Sequence, residues 1–289
     1  MQVKKAVIAA AGFGTRFLPA VKVYPKELVP VLNKANIQYL IEELIAAGIE
    51  EITIVHRPDN TMLEEYFAPN KKLTAFLKQT GKEHFLDSLN EIRKKAKLYF
   101  IPQPKNLPYG NASPVLAAKK FIGKDPFVFL YGDDMLIENK IGSTTSELIK
   151  VFGQYHTDVV AAGIELPKKD FCRCGMVKFK KGSIPHQIAS VVEKPAIEVS
   201  PSNIGIIGRF VVSPRAINVL ETQKIARGEL WFTDTVVGLS KIGIGIAWPI
   251  KSQWLTTGDP SRWLQVNLAL ALKDKTIAPE IKKFLKGKI

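Results

Sequence analysis

The sequence predicts an α/β fold, a mixed, mainly parallel central sheet flanked by helices in three layers. Three observations carry that reading. Short apolar runs alternate along the chain with longer stretches of helical periodicity, as a sheet covered on both faces requires. Two of those runs, Lys5–Ala9 and Phe127–Tyr131, read as buried strands that end in polar, glycine-containing turns. The length of 289 residues with 46% apolar content suits one large domain with a substantial core, and no apolar stretch is long enough to span a bilayer.

Taken in order, the first strand is Lys5–Ala9. Lys4-Lys5 before an Ala-rich run superficially looks like a secretion leader, but the run is short and Gly12 to Arg16 interrupts it, so a first core strand is the better reading. Ile37, Leu40, Ile41, Leu44 and Ile45 share one face of a helix over Ile37–Ala47, which Gly48 terminates. A strand at Glu51–Val55 and a helix at Asn60–Phe67 follow. The polar, Lys-rich segment from about Asn70 to Lys97 reads as a helical insertion, with helices at Leu73–Gln79 and Lys82–Lys95. Beyond it come strand Leu98–Ile101, helix Ser113–Phe121, strand Phe127–Tyr131 and helix Ser143–Tyr155. Four strands are then expected at Val159–Glu165, Gly175–Phe179, Ile188–Glu193 and Gly205–Val212. Helices Pro214–Leu220 and Trp231–Lys241, strand Gly243–Pro249 and helix Pro260–Leu272 complete the pattern. There is no internal repeat, low-complexity tract or flexible linker, so a single domain over 1–289 is expected.

Composition excludes more than it identifies. Forty-one Lys and Arg against twenty-seven Asp and Glu give a net charge of +14. The basic residues are scattered in short groups, and no aromatic RNA-binding signature or zinc finger accompanies them. A basic surface that attracts polyanionic nucleotides is the expectation, with neither nucleic acid nor membrane as partner. Cys172 and Cys174 are the only two cysteines. They cannot close a structural zinc site, and a reduced, cytoplasmic, structural role is the default. The four histidines, His56, His84, His156 and His186, have no Ser or Cys partner in a nucleophile motif, which argues against a covalent triad.

The segment that carries chemistry is Ala9-Ala10-Ala11-Gly12-Phe13-Gly14-Thr15-Arg16, followed by Pro25-Lys26-Glu27-Leu28-Val29-Pro30. Two glycines after a strand let backbone N–H groups approach a phosphate chain, and Arg16 and Lys26 supply a forked and a compact cation. A dinucleotide fingerprint fails because Phe17 stands where a third Gly or Ala is needed, and a Walker A loop fails for want of Gly-Lys-Ser/Thr. A second polar turn, Gly132-Asp133-Asp134, closes the strand Phe127–Tyr131. Ligands in open α/β sheets lie beyond the carboxyl ends of strands, and Mg²⁺ is commonly held by one or two carboxylates. A solvated Asp-Asp turn is the alternative. Val191-Val192-Glu193-Lys194-Pro195 also ends an apolar strand with polar groups.

In these residues the chain resembles the nucleotidyltransferases that join a nucleoside triphosphate to a sugar 1-phosphate, and among them the UTP–glucose-1-phosphate uridylyltransferases. The resemblance runs from Lys4 to about Leu272. It implies a Rossmann-like three-layer nucleotidyltransferase fold, with a nucleotide-binding part over about 1–135, a sugar-binding part over about 136–260, and C-terminal helices from about 260. It implies UTP and glucose 1-phosphate as substrates, Mg²⁺ as cofactor with Asp133 as its ligand, and a homo-oligomer, dimer or tetramer. The catalytic set it implies is Arg16, Lys26, Asp133 and Lys194. Ala11, Gly12, Gly14, Thr15, Gln103 and Gly110 would bind the nucleotide, and Gly175, Glu193 and Lys194 the sugar. An isolated Gln is more often a surface residue, so the role of Gln103 rests on the resemblance. Three departures stand out. Asn111 follows Gly110 where His or Thr is usual. Trp231 and Phe232 are bulkier than their counterparts in the family's Gly-Glu-x-x-Leu-Thr-Asp. Thr256 in Trp254-Leu255-Thr256-Thr257-Gly258-Asp259 occupies the place of the second metal-binding Asp, so one alternative to the uridylyltransferase reading is a weakly active nucleotide-sugar-binding protein. The other is a different nucleotide or sugar, with dTTP as one option, because base choice depends on pocket shape near Ala11, Gly12 and Gln103.

Overall fold

Strand β1 (Lys5–Ala10) runs through the middle of the main sheet. The remaining strands, in chain order, are β2 (Pro30–Val31), β3 (Lys34–Ala35), β4 (Glu51–His56), β5 (Lys97–Pro102), β6 (Phe127–Tyr131), β7 (Asp134–Ile137), β8 (Val159–Glu165), β9 (Gly175–Phe179), β10 (Ile188–Glu193), β11 (Ile204–Val212), β12 (Gly245–Pro249) and β13 (Gln253–Thr256). The helices are α1 (Asn36–Ala46), α2 (Met62–Phe67), α3 (Lys71–Gln79), α4 (Asp87–Lys95), α5 (Ser113–Ala117), α6 (Lys119–Ile122), α7 (Ser143–Gln154), α8 (Ala216–Thr222), α9 (Phe232–Ile242), α10 (Pro260–Ala271) and α11 (Ala278–Leu285). This computed structural model describes residues 2–182, 184–226 and 228–287.

β1 pairs in parallel with β4 on one side and β6 on the other, and β4 pairs in parallel with β5. The chain therefore builds outward from β1 through β4 to β5, then crosses back to lay β6 on the opposite side. That reversal opens a crevice at the carboxyl ends of β1 and β6, where ligands bind in such sheets. β11 runs antiparallel to all its neighbours. β8 lies along one edge of both its halves, while the other edge pairs with β9 at Gly205 and Ile206 and with β6 at residues 209–212. The register against β8 shifts between Ile206 and Phe210, so the sheet forks there. β10 extends the β9 branch antiparallel, and β12 lies parallel to β8.

Both faces of the sheet are covered, and the strands alternate accordingly. On β6, Val128 and Leu130 join the core shared with α1, α4 and α7, whereas Phe127 and Phe129 join the core shared with α5, α8 and α9. The three expected layers are present.

Differences from the sequence reading are local. The stretch expected as one helix over Lys82–Lys95 divides into a 3-10 turn (Glu83–Leu86) and α4. The helix expected over Ser113–Phe121 divides at the fully buried Ala118 into α5 and α6. The ladder between β7 and β13 has no counterpart in that reading, whereas α11 falls within the C-terminal helices expected from about 260, without bounds of its own there. Strands of four residues carry too little alternation to stand out from a loop.

Candidate active site

The loop after β1 is shaped by its own small core. Gly14 takes the left-handed conformation (φ 63°) and opens a 3-10 turn over Thr15–Phe17. Phe17 is buried beside Val21 and Val29, which fixes the turn and leaves Arg16 reaching outward. A second 3-10 turn, Lys26–Leu28, presents Lys26 to the crevice. Its ammonium lies 2.5 Å from Asp133 Oδ2 and 3.9 Å from Glu27 Oε1. Burial works to lower the Lys26 pKa, but the charges of Asp133 and Glu27 outweigh it and the net direction is upward. Asp133 moves the other way: burial would raise it, yet Lys26 and Arg16 hold it below the ordinary carboxylate range. Both are therefore ionised at neutral pH.

The Gly132-Asp133-Asp134 turn is held from three directions. The Gly132 N–H donates to the Ala9 carbonyl at 2.9 Å, joining the ends of β1 and β6. Asn36, at the start of α1, donates from Nδ2 to the Gly132 carbonyl at 2.7 Å. Beneath the turn, the fully buried Arg209 donates to the Asp134 backbone carbonyl (2.7 Å) and forms a two-pronged pair with Glu43 of α1 (2.9 and 2.8 Å). Asp134 accepts the Gly208 N–H at 2.9 Å, in the fork of the sheet. Burial and the neighbouring Asp133 charge push its pKa up to about 6.

Two cavities meet over this turn. One of about 640 Å³ is walled by Ala11, Gly12, Lys26, Gln103 and Gly110 among others; the second, of about 380 Å³, by Gly175, Glu193, Lys194, Asp134 and Thr256 among others. Arg16, Asn111, Tyr131 and Asp133 line both. The sequence-predicted residues that line a cavity fall into two compartments, with Arg16 and Asp133 at the seam. Gly14 and Thr15 line neither, and act on the loop that carries Gly12 and Arg16. In the first cavity, Gln103 Oε1 is buried without a hydrogen-bond partner among the described residues. In the second, Gly175 lets the chain pass so close to Thr233 that a Cβ would lie 2.7 Å from its methyl group.

The departures from the family pattern find their places as well. Asn111 Oδ1 accepts the Phe232 N–H at 2.7 Å at the start of α9. With Leu230 bonded to Tyr109 and Ala112, it ties the wall of the first cavity to that of the second. Thr256 lies opposite Asp134 in the β7–β13 ladder, where its hydroxyl donates to the Asp133 carbonyl (3.0 Å) and the Gly258 N–H donates to it (3.1 Å). Asp259 caps α10 through the Arg262 N–H and faces Arg16, Arg173 and Arg262. Among the described residues no three His, Cys, Asp or Glu groups converge as a resident metal cage needs. A single carboxylate at the seam of two cavities does suit Mg²⁺ that keeps waters and is shared with substrate phosphates.

Sequence reasoning passed over Arg57, which follows β4 and enters the first cavity held by Asp59 (3.0 and 2.5 Å), its guanidinium 4.8 Å from the Phe13 ring centre. The carboxyl-end rule applied to β1 and β6 also points to it. The two cysteines differ in setting. Cys172 is exposed, and Cys174 is buried with its thiol pushed up to about 12 by desolvation.

A family model described as nucleotidyl transferase matches residues 5–272. The chain belongs to that family. It is 34% identical to UTP–glucose-1-phosphate uridylyltransferase 1 of Staphylococcus saprophyticus, over 99% of each chain. Identity to the UTP–glucose-1-phosphate uridylyltransferase of Staphylococcus haemolyticus is 33%, over 99% of this chain and 98% of that protein. Among solved structures, the UTP-bound UGPase of Acinetobacter baumannii superposes with a TM-score of 0.89 at 28% identity, over the whole of both chains. A UDP-glucose pyrophosphorylase complexed with UDP-glucose superposes with a TM-score of 0.85 at 28% identity, over 94% of this chain and all of that one. The fold of this family member is therefore the nucleotidyltransferase fold that the sequence implies. Among the described residues no helix is long and apolar enough to cross a membrane.

Proposed function

We propose that this chain transfers a uridylyl group from UTP to glucose 1-phosphate, giving UDP-glucose and pyrophosphate. The observation that carries the reading is the pair of cavities meeting at Arg16 and Asp133, with Lys26 on one side and Lys194 on the other. The nucleotide-binding part, about 1–135, supplies the larger cavity, and the sugar-binding part, about 136–260, most of the smaller. A phosphate oxygen of glucose 1-phosphate attacks the α-phosphorus in line, a new P–O bond forms, and the bond to the β-phosphate breaks with release of pyrophosphate. The attacking oxygen is already anionic, so no protein nucleophile or base is needed, and catalysis reduces to positioning and charge neutralisation.

Lys26, kept protonated by its ion pair with Asp133, faces the α-phosphate. Arg16 holds the departing phosphates, and Lys194 the sugar phosphate. Gln103 offers the uracil edge an amide that can both donate and accept. Glu193 accepts sugar hydroxyls. Asp133 would hold Mg²⁺, which supplies neutralisation of phosphate charge when bound. The proposal includes a cytoplasmic location, from the reading of the first strand and the reduced cysteines, and assembly into a dimer or tetramer, by family analogy.

The test is pyrophosphate release from a panel of nucleoside triphosphates and sugar 1-phosphates with Mg²⁺, for the wild type and Thr256→Asp. Preference for UTP with glucose 1-phosphate supports the reading. Because the Thr256 hydroxyl is engaged by the Asp133 carbonyl and the Gly258 N–H, a second reading is a nucleotide-sugar-binding protein of low activity. A silent wild type beside an active T256D protein would favour it.

A further inference from the structure

We infer that Trp231 is a positioning residue for Lys194, holding its ammonium in the smaller cavity through the face of the indole ring; the inference rests on the uridylyl-transfer reading. Lys194 Nζ lies 4.2 Å from the Trp231 ring centre, well inside cation–π range. Both residues line the smaller cavity. The Lys194 backbone has φ 46°, a conformation that non-glycine residues seldom adopt, and its N–H donates to the Cys174 carbonyl at 3.1 Å. The backbone therefore sets where the side chain starts. Its flexible four-carbon stem still leaves the ammonium free to wander unless something holds the far end. Glu193 Oε1 is 3.9 Å away, beyond hydrogen-bond reach.

Trp231 is itself anchored. Its Nε1 donates to the Ala226 carbonyl (3.1 Å), its own carbonyl accepts from Gln223 Nε2 (2.8 Å), and the next residue is tied to Asn111. An aromatic face suits this task better than a carboxylate. It fixes the cation while leaving its full charge and its N–H donors for an incoming phosphate, whereas a carboxylate would compete with that phosphate.

Steady-state kinetics with UTP, glucose 1-phosphate and Mg²⁺ test the inference on three proteins. Trp231→Leu should raise the KM for glucose 1-phosphate about threefold to tenfold while leaving the KM for UTP in place. Trp231→Phe, which keeps an aromatic face, should restore it to within about twofold. A ring-fluorinated tryptophan incorporated at position 231 keeps the shape and weakens the negative face, and it should behave like the leucine protein. Should the leucine protein fail to fold, the other two decide. An unchanged KM for glucose 1-phosphate in the fluorinated protein overturns the inference, as does an equal rise in the KM for UTP. A wild type that releases no pyrophosphate from UTP and any sugar 1-phosphate sinks the uridylyl-transfer reading instead, and the inference falls with it.

Discussion

Lys26 and Glu27 are neighbours in one 3-10 turn, yet their surroundings keep the first charged and hold the second neutral up to about pH 8. Lys26 stays protonated against burial because Asp133 lies at 2.5 Å. Glu27 is fully buried, neither of its carboxylate oxygens has a hydrogen-bond partner among the described residues, and desolvation pushes its pKa up to about 8. Lys26→Ala should cut turnover about a hundredfold, on the order of 3 kcal/mol of transition-state stabilisation, with the melting temperature little changed. A near-normal rate in that protein would remove Lys26 from the mechanism. Glu27 makes a different prediction. Its folded pKa stands above the ordinary 4.5, so between those values the folded chain keeps a proton that the unfolded chain releases. The side chain thus costs stability that grows as pH rises from about 4.5 to about 8. Glu27→Gln should therefore raise the melting temperature at the alkaline end of that window relative to wild type and change it least at the acid end. A pH-independent difference would show that Glu27 is ionised throughout. Lys26 was legible in the sequence from its Pro-Lys-Glu-x-x-Pro setting. The state of Glu27 was not, because burial of one side chain depends on elements far away in the chain.

At the scale of elements, α1 does more than cover the sheet. Through Asn36 and Glu43 it holds the carbonyl of Gly132 and, by way of Arg209, that of Asp134. Arg209 is fully buried, so removing it leaves Glu43 as an unpaired charge in the core, with the Thr145 hydroxyl still donating to it. Arg209→Met should cost about 3–5 kcal/mol in urea unfolding, and adding Glu43→Leu should recover much of the loss. A single-variant cost under about 1 kcal/mol would mean that water reaches Glu43. The apolar face of α1 and most strands could be read from periodicity, since buried positions recur every 3.6 or every 2 residues. The Arg209–Glu43 pair could not. A glutamate midway along a helix and an arginine in an apolar strand carry no local mark of their union. The same holds for β7 and β13, which become a ladder only because the chain brings Thr256 back beside Asp134.

For the molecule as a whole, the reversal of strand order at β1 and the fork at β11 place two cavities side by side. The alternation of strands and helices foretold a sheet covered on both faces, but not the strand order that reverses at β1. Nor did it foretell the fork, because β11 reads as one continuous strand and only its change of partner splits the sheet. The net charge of +14 bears on association more than on the chemical step. UTP is a polyanion, so the field of the whole surface adds to the local pull of Arg16 and Lys26 while it approaches. Salt screens the long-range part, with a Debye length falling from about 10 Å at 0.1 M to about 3 Å at 1 M, but leaves contacts formed inside the cavity largely intact. Raising ionic strength across that range should therefore lower kcat/KM for UTP several-fold, while kcat changes much less. Stopped-flow or initial-rate measurements at fixed free Mg²⁺ check this. A kcat that falls in parallel with kcat/KM would mean that the charges act on the reacting phosphates rather than on capture. The scattered lysines would then have no part in drawing the nucleotide in.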